Sequence, residues 1–322
     1  MDVLTQSLTA IALGRGGLNR YCPLGTWVVA GAINIADLEQ AGRLAGREAY
    51  LNFAGGAMHS LMAAPVLALA VVAAARRISG RRIPWGRAYL VGLAGTATHL
   101  LGEWAGNQGA RLLWPFSDQW FRARFLPDFD LWILVVLVSA LFLPWLLGLA
   151  STEMGAGRNS GQGAAIFALC FILAFGFGRF LLQRRATTVL ESRLYEGEAP
   201  MRTAAFATPL NPLRWTGFVE VAEAVRLYRD LTPLNEFDPR QGEVHFKPEA
   251  RTEIEKASRT PEFQAVGRYY EWQVWRVAPA PRLEGGVEIE IQGLATGEGG
   301  ASGATATAVY DTSGQLLRAE LR

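Results

Sequence analysis

Residues 61–75 and 131–150 contain no charged side chain, and no other feature constrains the fold of this chain as strongly. Apolar runs of that length have to be buried in a core or in lipid. A helix crossing a bilayer needs ~20 predominantly apolar residues, which 58–75, 131–150 and 164–182 supply. Two shorter runs, 87–101 and 25–36, end in or beside polar groups, His99 and Asp37, and are expected to span with that end in a wet cavity. Residues 4–13 are too few to cross alone, which predicts a re-entrant or buried segment. The fold class expected for residues 1–182 is therefore an α-helical polytopic membrane bundle of about five membrane segments.

From Gln183 onward charged residues recur every few positions and the apolar pattern changes period. Val287, Ile289 and Ile291 alternate with Glu288, Glu290 and Gln292, as a half-buried strand does. Residues 269–277 and 306–310 read the same way, and Asp311 to Gly314 forms a turn between the last two strands. Lys247-Pro248 leads into a short helix over 249–259, with another starting at Pro261. Residues 183–322 are thus expected to form a soluble α+β domain, with an antiparallel sheet covered by helices on one face.

A net charge of +2 without a basic stripe excludes nucleic acid as the expected partner and leaves membrane lipid, with a protein partner for the C-terminal domain. Of the 31 basic residues only Lys247 and Lys256 are lysines, the codon bias of a GC-rich bacterial genome. Cys22 and Cys170 are the only cysteines, too few for a disulfide framework or a thiolate metal site. No cleavable leader is expected, because the first apolar stretch is short and lacks a basic start. The loop holding Arg76, Arg77, Arg81, Arg82 and Arg87 contains no acid, so the positive-inside rule puts it in the cytoplasm. Threading from there predicts a multi-pass protein of the bacterial inner membrane, with loops 38–57 and 102–130 and the C-terminal domain on the outer face.

Polar groups in the first half gather at the ends of apolar segments. Asp37 and Glu39 close one, His59 opens the next, and His99 closes the following one with Glu103 four residues on, one helical turn away on the same face. Ionisable groups at membrane depth are costly unless paired, wet or metal-bound, and imidazole with carboxylate suits zinc, manganese or iron. The alternative is a set of ordinary hydrogen bonds that satisfy the same groups. His245 is the third and last histidine and lies in the C-terminal half, so a centre here would be carboxylate-rich. The stretch 109–130 mixes Arg111, Trp114, Phe116, Arg122, Arg124 and Asp128. It reads either as an interfacial anchor or as a substrate-gating loop with Arg111, Trp114 and Asp128 as substrate-binding residues.

These residues carry a family likeness. Thr5-Gln6-Ser7-Leu8, Arg15-Gly16-Gly17-Leu18-Asn19-Arg20, Ala36-Asp37-Leu38-Glu39, Ala54 to Ser60, Thr98 to Glu103 and Leu113-Trp114-Pro115-Phe116-Ser117 follow one another in the order of motifs in the LexA-binding, inner-membrane-associated metal-dependent hydrolases. The chain resembles this YdjM-like family across roughly residues 2–135. The resemblance implies a divalent metal, zinc or manganese, held by Asp37, His59, His99 and Glu103, with Glu39 and Glu103 in catalytic roles. It also shows departures at ligand positions: Gln6 and Ala54 stand where the family has histidines, Glu39 and Glu103 where it has aspartates, and Gly55 where it has an arginine. Two functions follow as expectations. One is a membrane-bound, metal-dependent hydrolase of an ester or phosphoester in an amphiphilic substrate. The other is an inactive member, its metal lost, that serves as a membrane-anchored binding protein.

Overall fold

The structure, a computed structural model, describes residues 1–153, 161–281, 283–294 and 303–322. In chain order the α-helices are α1 (Val3–Leu13), α2 (Asn19–Tyr21), α3 (Gly25–Asn34), α4 (Arg47–Phe53), α5 (Ala63–Ser79), α6 (Trp85–Ala105), α7 (Leu131–Glu153), α8 (Gln162–Glu191), α9 (Thr252–Ser258) and α10 (Pro261–Tyr269). The strands are β1 (Arg202–Ala207), β2 (Trp215–Glu220), β3 (Ala224–Leu231), β4 (Glu243–Phe246), β5 (Gln273–Pro279), β6 (Val287–Gly293), β7 (Thr305–Tyr310) and β8 (Leu316–Leu321). Two compact units result. The first comprises Met1–Glu39, Gly55–Leu182 and Pro209–Pro212, and the second Gln40–Ala54, Gln183–Thr208 and Leu213–Arg322.

The expectation of about five membrane spans is overturned. Among the described residues α8 is the one helix long and apolar enough to cross a membrane, and the number rises to two only if the stretch Arg47–His59 and Ala63–Ser79, bent by 81°, is one broken span. The reasons are local. At ~1.5 Å per residue, the 10 residues of α3 and 11 of α1 reach little more than half of a ~30 Å hydrocarbon core. The run 58–75 is interrupted by a 3₁₀ turn at Ala57–His59. The 21 residues of α6 include Thr96, Thr98, His99 and Glu103, which dilute its apolar character. Among the described residues, Leu131–Leu147 counts as a shorter apolar helix. On α8, Leu173 and Phe177 stand largely exposed, as side chains meant for lipid would.

Small residues hold the first unit together. A Cβ added at Gly95 in α6 would lie 2.8 Å from the Ala32 Cβ and 2.9 Å from the Val29 carbonyl of α3, and one at Gly92 would lie 3.3 Å from the Ala68 Cβ of α5. Helix backbones therefore approach closely, because small residues at the crossings leave room for it. Val28, Val29, Ile33, Val72 and Val91 fill the remaining space. A second cluster joins α1, α7 and α8 through Ala12, Ile133, Leu137, Ala165 and Ala168. Beside it the Arg179 guanidinium of α8 donates to Asp130 Oδ2 at 3.2 Å, with both side chains 1% exposed. Asp130 Oδ1 caps α7, accepting the backbone N–H of Trp132 and Ile133 at 3.0 and 3.1 Å, and so satisfies donors that a helix start leaves orphaned.

The second unit holds two four-stranded antiparallel sheets, in the orders β1-β2-β3-β4 and β5-β6-β7-β8. The single sheet expected from sequence is corrected by this pairing: period-2 alternation identifies strands but not their partners. The turn at Asp311 links β7 to β8 and is closed by the Asp311 carboxylate, which accepts from the Ser313 and Gln315 backbone N–H groups. Helices α4, α9 and α10 supply Leu51, Ala257, Phe263 and Val266 to a core completed by Ile289, Ile291, Ala306 and Ala308 of the second sheet. The first sheet packs Phe206, Phe218 and Leu227 with Trp272, whose ring stacks on Phe218 at 5.3 Å.

Candidate metal centre

Three elements of the first unit meet at one point. Asp37 lies in the 3₁₀ run Ile35–Ala45 that continues α3. His99 sits on α6 one turn beyond Gly95, so the close crossing at Gly95 and Ala32 sets it beside the end of α3. His59 ends the turn Ala57–His59, held in place by Ser60, whose hydroxyl donates to the Ala57 carbonyl at 3.2 Å and accepts the Ala63 N–H at 3.1 Å. One ligand atom from each of Asp37, His59 and His99 lies within 4.8 Å of the others, close to the spacing that bonds of ~2.0–2.2 Å to one ion demand. The two imidazoles are 5.0 Å apart between centroids, and His59 and His99 are 7% and 2% exposed.

Both rings are oriented through Nδ1. His59 Nδ1 is 2.6 Å from Glu39 Oε2, and the other Glu39 oxygen accepts the Gly56 N–H at 3.4 Å. His99 Nδ1 is 2.7 Å from Gln6 Oε1. The Gln6 amide nitrogen faces two acceptors, the Met1 carbonyl at 3.1 Å and Glu103 Oε1 at 3.4 Å, so its oxygen has to be the atom that meets His99. His99 Nδ1 is therefore the donor. Burial pushes the His99 pKa down to about 4 against the opposing pull of Glu103, which keeps the ring neutral near pH 7 and leaves Nε2 as a lone pair. That Nε2 is buried and has no hydrogen-bond partner among the described residues, while the Ile33 backbone pulls the ring's pKa upward against burial. A metal-binding histidine commonly donates its second nitrogen to a carboxylate or carbonyl in this way, and a buried lone pair without a donor is costly otherwise.

Glu103 takes a different position. Its Oε1 accepts from the Met1 ammonium at 2.7 Å and from Gln6, and it stands next to the three-residue group without joining it. Arg111, Trp114 and Asp128 also lie outside that group. The Arg111 backbone N–H donates to the Gly55 carbonyl at 2.7 Å, and its side chain meets Asp118 at 3.3 Å. Trp114 belongs to a tight turn closed by its N–H to the Arg111 carbonyl, and the Asp128 carbonyl accepts the Asp2 N–H at 2.7 Å. Sequence reasoning missed the Met1 ammonium and the Arg179–Asp130 pair. A lone arginine inside the apolar run 164–182 was the signal that could have revealed the latter.

The profile of the YdjM inner membrane protein family matches residues 1–186, more than half of the 322-residue chain. The chain belongs to the YdjM inner membrane protein family. Membership puts it in the inner membrane, and the match ends inside α8, so the two sheets lie beyond the matched part of this YdjM protein. No curated protein and no solved structure matches the chain.

Proposed function

We propose that this YdjM-family protein is a membrane-bound hydrolase of an ester or phosphoester, with a divalent metal held by Asp37, His59 and His99. The observation that carries the reading is the orphaned Nε2 of His99, buried beside Asp37 and His59 while Nδ1 of each ring is already engaged. Two imidazoles and one carboxylate with open positions suit zinc, manganese or ferrous iron. Bound there, the cation supplies Lewis acidity that acidifies water and polarises an ester or phosphoryl oxygen. Water adds across the scissile bond to give an acid and an alcohol. In this reading Glu39 fixes the tautomer and direction of His59, and Gln6 does the same for His99. Glu103, kept ionised by the Met1 ammonium beside it, accepts the proton that water gives up. Gln6 thereby acts as an orienting residue at a position where the family likeness has a ligand.

The test is metal content of the detergent-purified protein by elemental mass spectrometry, in the wild type and in a His59→Ala, His99→Ala double variant, followed by a screen of lipid esters and phosphoesters. Near-stoichiometric metal in the wild type alone supports the centre. The Glu103–Met1 ion pair favours a second reading, an inactive member that serves as a membrane-anchored binding protein, and absence of metal after loading with zinc and manganese would decide for it. We also place the C-terminal end of α5, with Arg76 and Arg77, and the loop after it, with Arg81 and Arg82, in the cytoplasm. Labelling of a Ser79→Cys variant by an impermeant thiol reagent from the periplasmic side would refute that.

A further inference from the structure

A groove of about 650 Å³ runs between α1, α6 and α8 in the first unit, walled by Leu13, Leu101, Trp104, Leu173 and Phe177. Its two hydroxyls are spent on their own helices: Thr98 Oγ1 donates to the Ala94 carbonyl at 2.7 Å and Thr9 Oγ1 to the Thr5 carbonyl at 2.8 Å. The lining therefore selects hydrocarbon. One wall is α8, the helix long and apolar enough to cross a membrane, so with α8 in a bilayer the groove would open onto hydrocarbon. A packed helix is ~10–12 Å across, and about 650 Å³ would take little more than one turn of it. The size fits one small-molecule chain, since such pockets run ~300–1,000 Å³.

Met1 joins this groove to the polar centre. Its side chain lines the groove and packs over Gly102, where an added Cβ would lie 3.2 Å from the Met1 sulfur. Its ammonium meets Glu103 at 2.7 Å, and Gln6 links Glu103 to His99. One side chain thus separates the hydrocarbon lining from the residues around the candidate metal.

We propose that the groove seats one linear hydrocarbon chain of the substrate, which makes the substrate a lipid ester or phosphoester whose head group reaches the Asp37–His59–His99 centre past Met1. This assignment rests on the reading of that centre as hydrolytic. The experiment uses the full chain in nanodiscs that contain a phospholipid with a photoreactive diazirine in one acyl chain, with adducts mapped by mass spectrometry. Adducts should concentrate on Leu101 and Leu173 and be several-fold weaker on Ile166 and Phe167, which are exposed on α8 outside the groove. Gly176→Phe, on the α8 wall of the groove where an added Cβ would lie 3.6 Å from Phe125, should abolish the concentration and leave metal content unchanged. Ile172→Trp, also in the groove lining, serves if that variant does not fold. Equal labelling of all four positions, or labelling indifferent to both variants, overturns the proposal, as does a cross-link showing a second copy in the groove. Groove labelling without any bound metal would sink the hydrolytic reading alone, and metal without groove labelling would sink the chain site alone.

Discussion

Gln6→Leu isolates the orientation of His99 from its identity. The wild-type amide oxygen accepts from His99 Nδ1 at 2.7 Å, and both residues are 2% exposed, so water has no room to replace it. Leucine leaves that N–H buried and unpaired, which costs about 1–3 kcal/mol of stability. It also frees the ring to turn, and loss of an orienting partner typically lowers metal affinity about 10–100-fold, equivalent to about 1.4–2.7 kcal/mol. The assay is competition for zinc against a chromophoric chelator in detergent, with thermal unfolding of the apo protein alongside. The expected result is weaker zinc binding together with a modestly lower melting temperature. Wild-type zinc affinity in a folded Gln6→Leu protein would refute the assignment of Nε2 as the ligand atom, because Gln6 is the side chain that engages Nδ1.

Arg179→Leu should destabilise the first unit by about 3–5 kcal/mol, since it strands the Asp130 carboxylate in a site where both partners are 1% exposed; a melting temperature within a degree or two of wild type would count against a structural pair. Zinc at about 100 times its dissociation constant should stabilise the protein by about 2.7 kcal/mol, an increment that has to vanish in the His59→Ala, His99→Ala variant. In the second unit, Trp272→Ala removes a ring packed on Phe218 and 2% exposed and should cost about 3–5 kcal/mol, read as loss of the β-sheet circular dichroism signal at lower denaturant.

The strands were legible wherever one face of a sheet is solvated. Val287, Ile289 and Ile291 announce β6 because their neighbours are Glu288, Glu290 and Gln292. Residues of β1 to β3 are buried in consecutive runs, so alternation is lost there and neither those strands nor the division into two sheets could be read. The span count failed for a related reason. Hydrophobicity marks what avoids water, and in α3 and α6 the apolar residues Val28, Val29, Ile33 and Val91 avoid it by packing on one another. A window of hydropathy cannot tell a helix buried in protein from one buried in lipid; length can, and at 10 residues α3 fails on length.

That Asp37, His59 and His99 come together was suggested by their place at the ends of apolar runs, because a chain that turns at each end brings those ends together. What each does there depends on distances of a few tenths of an ångström, which spacing does not contain. Glu39 and Asp37 are two residues apart on one 3₁₀ run, yet Glu39 is drawn onto His59 Nδ1 at 2.6 Å while Asp37 joins the three-residue group. Gln6 shows the same limit from the other direction. As a letter it reads as a lost imidazole; in place, its oxygen points at His99 because Met1 and Glu103 claim its nitrogen. An amide at such a position can orient a neighbouring imidazole, and the chemistry of the group has to be judged from the hydrogen bonds around it.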